Sequence, residues 1–206
     1  MRLVSTILAA AAAIAVATPS LAHEVVYIGT LSGANEAPPN ASTGTGTAML
    51  TIDDHLSTIH VQFSFSNLLG NVTAAHIHAP TAVAFAGTAG VATPTPTFTG
   101  MANGVNLGVK SGSYDHLFDM SLASSWNASY LNAAPRNGDT SIAFSSFITS
   151  IADGKAYLNI HTSVVGGGEV RTFFTLAPVP EPESYALMLA GLGLLGVVAK
   201  RRQKAA

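Results

Sequence analysis

The chain has 206 residues, no cysteine, 48% hydrophobic and only 10% charged side chains, and a formal net charge of −2. The cations gather at the two ends: between His23 and Pro178, Lys110, Arg136, Lys155 and Arg171 stand against nine acids, leaving that stretch near −5. With no basic stripe, nucleic acid and anionic membrane surfaces are poor partners; with no thiol, disulfides and cysteine nucleophiles are excluded.

Arg2, the apolar stretch Leu3 to Ala17 and the small-residue site Ser20-Leu21-Ala22 predict a secretory signal peptide over residues 1–22. Residues 23–178 then make one domain, long enough to bury a core without staples. In Thr58 to Phe65, Ile59, Val61, Phe63 and Phe65 share one face and His60, Gln62 and Ser64 the other, the alternation of a half-buried strand. Further strands are predicted at Glu24–Leu31, Gly46–Ile52, Thr73–His78, Ser113–Met120, Lys155–His161 and Glu169–Leu176, separated by turn-rich stretches. Asp53-Asp54 reads as a turn, and Thr93-Pro94-Thr95-Pro96 as a stiff loop or edge. Phe144, Phe147, Ile148 and Ile151 follow helical spacing, with Asp153-Gly154 as the stop; Trp126 and Tyr130 mark a shorter helix. The expected class is mainly β: a Greek-key antiparallel β-sandwich with one or two short helices.

The last segment, residues 179–204, differs in kind. Val179-Pro180-Glu181-Pro182 is held extended by its prolines. The apolar run Tyr185 to Ala199 follows, then the basic stop Lys200-Arg201-Arg202. That run is expected to form a single transmembrane helix over 185–199. As a helix it is about 22 Å long, short against a hydrocarbon core of about 30 Å, and the cations would keep the C-terminus cytoplasmic.

Motif, helix and basic cluster, in that order at the end of the chain, resemble the PEP-CTERM sorting signal of Gram-negative bacteria. The resemblance implies processing by an exosortase, a membrane cysteine protease, from an inner-membrane precursor toward the cell surface or extracellular matrix. Three further pieces resemble the CHRD (chordin-type) domain. They are Leu31-Ser32-Gly33-Ala34-Asn35-Glu36-Ala37-Pro38-Pro39, then Ala75-His76-Ile77-His78-Ala79-Pro80, and last Ala156 to Thr162 with Gly167-Gly168-Glu169-Val170-Arg171. Asn159, Glu169 and Arg171 belong to that family motif. Ala79 and Thr172 stand where the family usually has glycine, which predicts stiffer loops there. The resemblance implies an extracellular β-sandwich-like module with no established catalytic activity.

Histidine offers the one chemical constellation. His76 and His78 alternate, so both imidazoles leave a strand on one face, and His161 ends another strand in phase with Tyr157 and Asn159. If those strands pair, three imidazoles converge on Cu²⁺ or Zn²⁺; the alternative is a polar network without an ion, in which Glu169 and Arg171 take part or pair with each other. A His-x-His strand with a distant third histidine is similar to the copper ligand set of Cu/Zn superoxide dismutases. A bridging histidine, a zinc loop and a disulfide pair are absent. His23, at a free N-terminus after cleavage, is a further copper-chelating candidate; His55, His60 and His116 read as surface or strand residues. No Gly-x-Ser-x-Gly elbow, His-Glu-x-x-His or phosphate loop occurs. The expected function is therefore non-enzymatic: an exported binding or structural module for envelope proteins or extracellular polysaccharide, with a copper or zinc protein as the alternative.

Overall fold

The structure is a computed structural model and describes residues 24–178 and 184–203. The expected signal peptide (1–22), His23 and the motif Val179, Pro180, Glu181, Pro182 lie outside the described residues.

Among the described residues eight strands form: β1 (Glu24–Ser32), β2 (Thr45–Asp53), β3 (Thr58–Ser66), β4 (Val72–His78), β5 (Gly112–Asp119), β6 (Tyr157–Thr162), β7 (Val170–Phe173) and β8 (Thr175–Leu176). The same residues hold three α-helices: α1 (Ala128–Asn132) and α2 (Thr140–Ala152) between β5 and β6, and α3 (Ser184–Gln203) after β8. The expected mainly β, antiparallel class with a few short helices is the class observed. The last expected strand is split into β7 and β8, with Phe174 between them turned fully into the core.

The layer arrangement differs from two separate sheets. All strands join one sheet in the order β4-β6-β7-β1-β2-β3-β5, with β8 also against β1. The sheet curls into a half-barrel, because the residues just before β5 hydrogen-bond the start of β4 at the opposite edge. Val72 N–H donates to the Val109 carbonyl and Gly108 N–H to the Val72 carbonyl, each at 2.9 Å. The connections β3 to β4, β4 to β5 and β5 to β6 each swap edges, so the long ones cross the hollow of the curl and fill it.

The filling is apolar. Leu50, Val61, Phe63, Ile77, Leu158 and Ile160 point inward from the sheet and merge with Phe98, Trp126, Phe144, Phe147 and Ile151 from the connections. Asp139 caps α2, its carboxylate accepting from Ser141 N–H and Ile142 N–H. Trp126 precedes α1 and stacks on Tyr130 at 5.5 Å, while its indole N–H donates to the Met120 carbonyl. Phe147 is fully buried under both rings; removing such a side chain costs about 3–5 kcal/mol.

An exposed edge of β4 would leave N–H groups open. The Thr93–Thr97 stretch closes it. Thr93 Oγ1 accepts from Ile77 N–H and Thr97 Oγ1 from Ala75 N–H, both at 2.9 Å, while Phe98 N–H donates to the Ala75 carbonyl. Prolines 94 and 96 bring no competing donors, so the expected loop or edge is an edge cover made of threonine hydroxyls. With that cover in place, His76 and His78 on one face of β4 and Ala75 and Ile77 on the other are all buried.

α3 contains the apolar run 185–199, and Lys200, Arg201 and Arg202 stand in its last turn. Among the described residues no helix is long and apolar enough to cross a membrane. The expected helix over 185–199 is present within α3, and its fifteen apolar residues span about 22 Å against a hydrocarbon core of about 30 Å.

Candidate metal centre

β4 and β6 run antiparallel with His78 opposite Tyr157, His76 opposite Asn159 and Ala74 opposite His161. Directly paired residues share a face. His76, His78, Tyr157, Asn159 and His161 therefore form one polar patch at the edge of the sheet, on the side away from the Ile77 and Leu158 core.

The three imidazoles converge, and their ligand nitrogens lie within 4.8 Å of one another. Each ring is held by its other nitrogen. His76 Nδ1 meets the Pro96 carbonyl at 3.2 Å, His78 Nδ1 the Ala89 carbonyl at 2.7 Å, and His161 Nδ1 the Gly166 carbonyl at 2.9 Å. A carbonyl oxygen only accepts, so each Nδ1 carries the proton and each Nε2 presents a lone pair. Two of those lone pairs face each other, His76 Nε2 to His161 Nε2, at 2.9 Å. The third, on His78 Nε2, is buried with no hydrogen-bond partner. Backbone carbonyls on Nδ1 are the outer support that fixes metal-binding histidines.

Burial, followed by the neighbouring imidazoles, lowers the His76 pKa to about 3, against the opposing Pro96 carbonyl. Burial lowers His78 to about 4, against the opposing Ala89 carbonyl. Both are neutral at neutral pH, the state a metal requires. Nitrogens bound at ~2.0–2.1 Å to one tetrahedral ion sit about 3.4 Å from each other, so on binding the widest separation closes by up to about 1.4 Å while the His76–His161 pair opens from 2.9 Å.

A second network lies behind the first. Tyr157 stacks nearly parallel on His78, with centroids 4.7 Å apart. The Arg171 guanidinium lies 4.7 Å above the Tyr157 ring. Arg171 donates through Nε to the Asn35 carbonyl and through Nη1 to the Gly87 carbonyl at 2.8 Å, and Glu36 stands 3.8 Å away. Burial raises the Glu36 pKa to about 7, outweighing Arg171. Glu36 Oε1 is buried without a hydrogen-bond partner.

Glu169 does not pair with Arg171. It is fully buried, and its carboxylate accepts from Ser42 Oγ at 2.7 Å, Leu69 N–H at 2.6 Å, Gly70 N–H at 3.1 Å and Thr162 Oγ1 at 2.6 Å. Burial would raise its pKa, but these donors hold it below the usual range. Glu169 therefore ties the 42–44 and 68–70 loops to β6, apart from the histidines. Thr172 lies in β7, within the predicted strand Glu169–Leu176 and not in a stiffened loop, and packs against Gly29 of β1, where a Cβ would come within 2.7 Å of the Thr172 methyl.

Sequence reasoning made the meeting of His76, His78 and His161 conditional on strand pairing, and β4 and β6 do pair and bring the three rings together. It missed Glu36 as the acid beside Arg171, and the carbonyls of Ala89, Pro96 and Gly166 that orient the rings. Two other described histidines have partners of their own: His60 bonds Asp115 at 2.6 Å on the outer face, and His116 packs on Tyr114 and Phe118. Asp53 ends β2, and its carboxylate accepts from His55 and Leu56 N–H in the turn that follows.

Fold and site together define a mainly β antiparallel domain with a histidine cluster at one edge of its sheet. The chain belongs to the CHRD domain family, whose profile matches residues 27–174. The PEP-CTERM protein-sorting motif matches residues 178–203. No curated protein and no solved structure matches the chain. The sorting motif marks an exported protein, anchored through its C-terminal segment before an exosortase, a membrane protease, processes it.

Proposed function

We propose that the exported CHRD domain binds one transition-metal ion, copper or zinc, through the Nε2 atoms of His76, His78 and His161. The observation that carries this reading is the common orientation of the three rings. All three Nδ1 atoms are spent on carbonyls, and three lone pairs meet in one place, one of them buried and without a partner. A buried polar atom without a partner costs about 1–3 kcal/mol, and two opposed lone pairs add repulsion; a cation between them removes both penalties. Three neutral imidazoles suit copper and zinc better than calcium or magnesium, which prefer oxygen.

After exosortase processing the domain resides at the cell surface or in the extracellular matrix, where it holds or buffers the metal. A second reading, binding of extracellular polysaccharide or envelope proteins, is favoured by a groove of about 850 Å³ over β1, β2, β3 and β5. Thr30, Thr47, Gln62, Ser64 and Asp115 line it with the hydroxyl, amide and carboxylate groups that sugar hydroxyls match.

The test is metal stoichiometry of the full chain in detergent after exposure to copper and to zinc, beside a His76→Ala/His78→Ala/His161→Ala variant. One ion per chain, lost in a still-folded variant, is expected. No ion in the wild type would leave polysaccharide and protein partners as the function to pursue.

A further inference from the structure

Asn159 is 3% exposed and lies opposite His76, between Tyr157 and His161 on the same face of β6. Its Oδ1 is buried and has no hydrogen-bond partner. This is the second orphaned polar atom of the patch, and it differs in kind from His78 Nε2. An amide oxygen wants a donor, and the lone pairs of three neutral imidazoles supply none.

The chain makes room for this side chain at some cost. Gly168 has φ +125°, and a Cβ there would stand 2.5 Å from Asn159 Nδ2 and 2.6 Å from Oδ1. The same loop supplies the Gly166 carbonyl that orients His161. A Cβ at Gly166 or at Gly167 would meet no atom within 4 Å, so the loop is open on its outer side. His161 is the one ligand of the three that is only partly buried. The patch thus has a closed side, under His76 and His78, and an open side, near His161.

We propose that the ion held by the three histidines keeps a fourth, exchangeable position occupied by a water molecule, which donates a hydrogen bond to Asn159 Oδ1. This rests on the metal reading above and deepens it: the centre takes a small exogenous ligand in place of that water, instead of being closed by protein. Three protein ligands with an open position distinguish exchangeable centres from structural ones, where four protein ligands close the ion. Asn159 is a positioning residue in this arrangement, and the Arg171 cation next to it in β7 favours small anions as the incoming ligand.

The experiment uses the full chain loaded with one equivalent of Cu²⁺, with azide as the probe. Pulsed magnetic resonance on the copper should show a coupling from solvent-exchangeable protons of a bound water, and azide should abolish it while producing a new charge-transfer band. Asn159→Leu should weaken or remove the proton coupling and tighten azide binding about fivefold, the effect of one lost hydrogen bond on the competing water. Asn159→Asp, which keeps an acceptor, should retain the coupling and confirm that the leucine variant did not act by misfolding. Copper bound at one per chain with no exchangeable-proton coupling would overturn the inference while leaving the three-histidine reading intact. A coupling and azide affinity unchanged in Asn159→Leu would overturn it as well. A chain that binds no copper overturns both.

Discussion

The Nε2 atoms of His76 and His161, 85 residues apart in the chain, stand 2.9 Å from each other with both Nδ1 atoms already bonded to carbonyls. Such a pair is unfavourable in the neutral state unless a proton or an ion lies between the two nitrogens. The arrangement therefore stores a preference for a cation that the rest of the domain holds in place.

Metal binding should stabilise the fold through this site. An ion at 100 times its dissociation constant raises unfolding free energy by about 2.7 kcal/mol. Melting of the wild-type chain with zinc or copper, then with a chelator, should reveal that difference. His161→Ala should abolish the metal-dependent shift while changing chelator-treated stability by less than about 1 kcal/mol, because it also removes one of the two opposed lone pairs. Equal shifts in wild type and variant would place the ion elsewhere.

Stability of the chelator-treated chain should peak near pH 6.5. The pKa values of His76 and His78 are lowered to about 3 and 4, so the unfolded chain takes up protons first as pH falls below about 6.5. Their stabilising contribution, complete above 6.5, is lost as pH falls toward 3. Glu36 acts with the opposite sign: raised to about 7, it contributes stability below about 4.5 that is lost as pH rises through 7. Between 4.5 and 6.5 two histidines outweigh one carboxyl, and above 6.5 Glu36 acts alone. Each unmatched proton is worth about 1.4 kcal/mol per pH unit. Urea midpoints from pH 4 to 8 test this, and Glu36→Gln should flatten the decline above 6.5.

Glu169→Ala should be among the most damaging single changes. It leaves two backbone donors and two hydroxyls without their acceptor, Gly70 N–H and Thr162 Oγ1 in a buried setting and Leu69 N–H and Ser42 Oγ in a partly buried one. A loss of about 3–5 kcal/mol is expected, since each buried donor left without a partner costs about 1–3 kcal/mol. A variant within 1 kcal/mol of wild type by chemical denaturation would show that the 42–44 and 68–70 loops do not depend on this carboxylate.

Gly168→Ala combines a left-handed backbone with a collision against Asn159. It should cost about 1–3 kcal/mol and lower metal affinity, since the loop also carries the carbonyl that aims His161. Gly166→Ala, which meets no neighbouring atom, is the control and should leave both quantities near wild type.

Replacing Glu181 and both flanking prolines with alanine should leave unprocessed precursor in the membrane fraction. Unchanged processing, read by size on a blot of fractionated cells, would show that this exosortase substrate is recognised by other features of its tail.

How much of this was legible beforehand varies with the range of the interactions. Strands β1 to β6 lie within two residues of the alternating stretches that announce them, since a period of two records burial on one face. α2 was equally plain from Phe144, Phe147, Ile148 and Ile151 and the Asp153-Gly154 stop. The pairing of His76 with His78 follows from the same period. The sorting tail reads directly because its three parts are consecutive. Its apolar run, at fifteen residues, also shows by length alone that it falls short of a full bilayer span.

The tertiary structure decided what depends on contacts between distant segments. Whether the strands make one curled sheet or two layers is set by the edge-swapping connections, whose packing leaves no local pattern. That His161 meets His76 depends on the register of β4 against β6, and one residue of slip would send it to the opposite face. Glu36 was hidden because a lone acid in a turn-rich stretch looks solvated until the fold places it beside Arg171. The carbonyls of Ala89, Pro96 and Gly166 carry no side-chain signature at all, yet they orient the three rings. The sequence by itself determined which residues alternate and where the chain is addressed; only the folded chain could decide which lone pairs meet, because that depends on register and loop packing across separations of tens of residues.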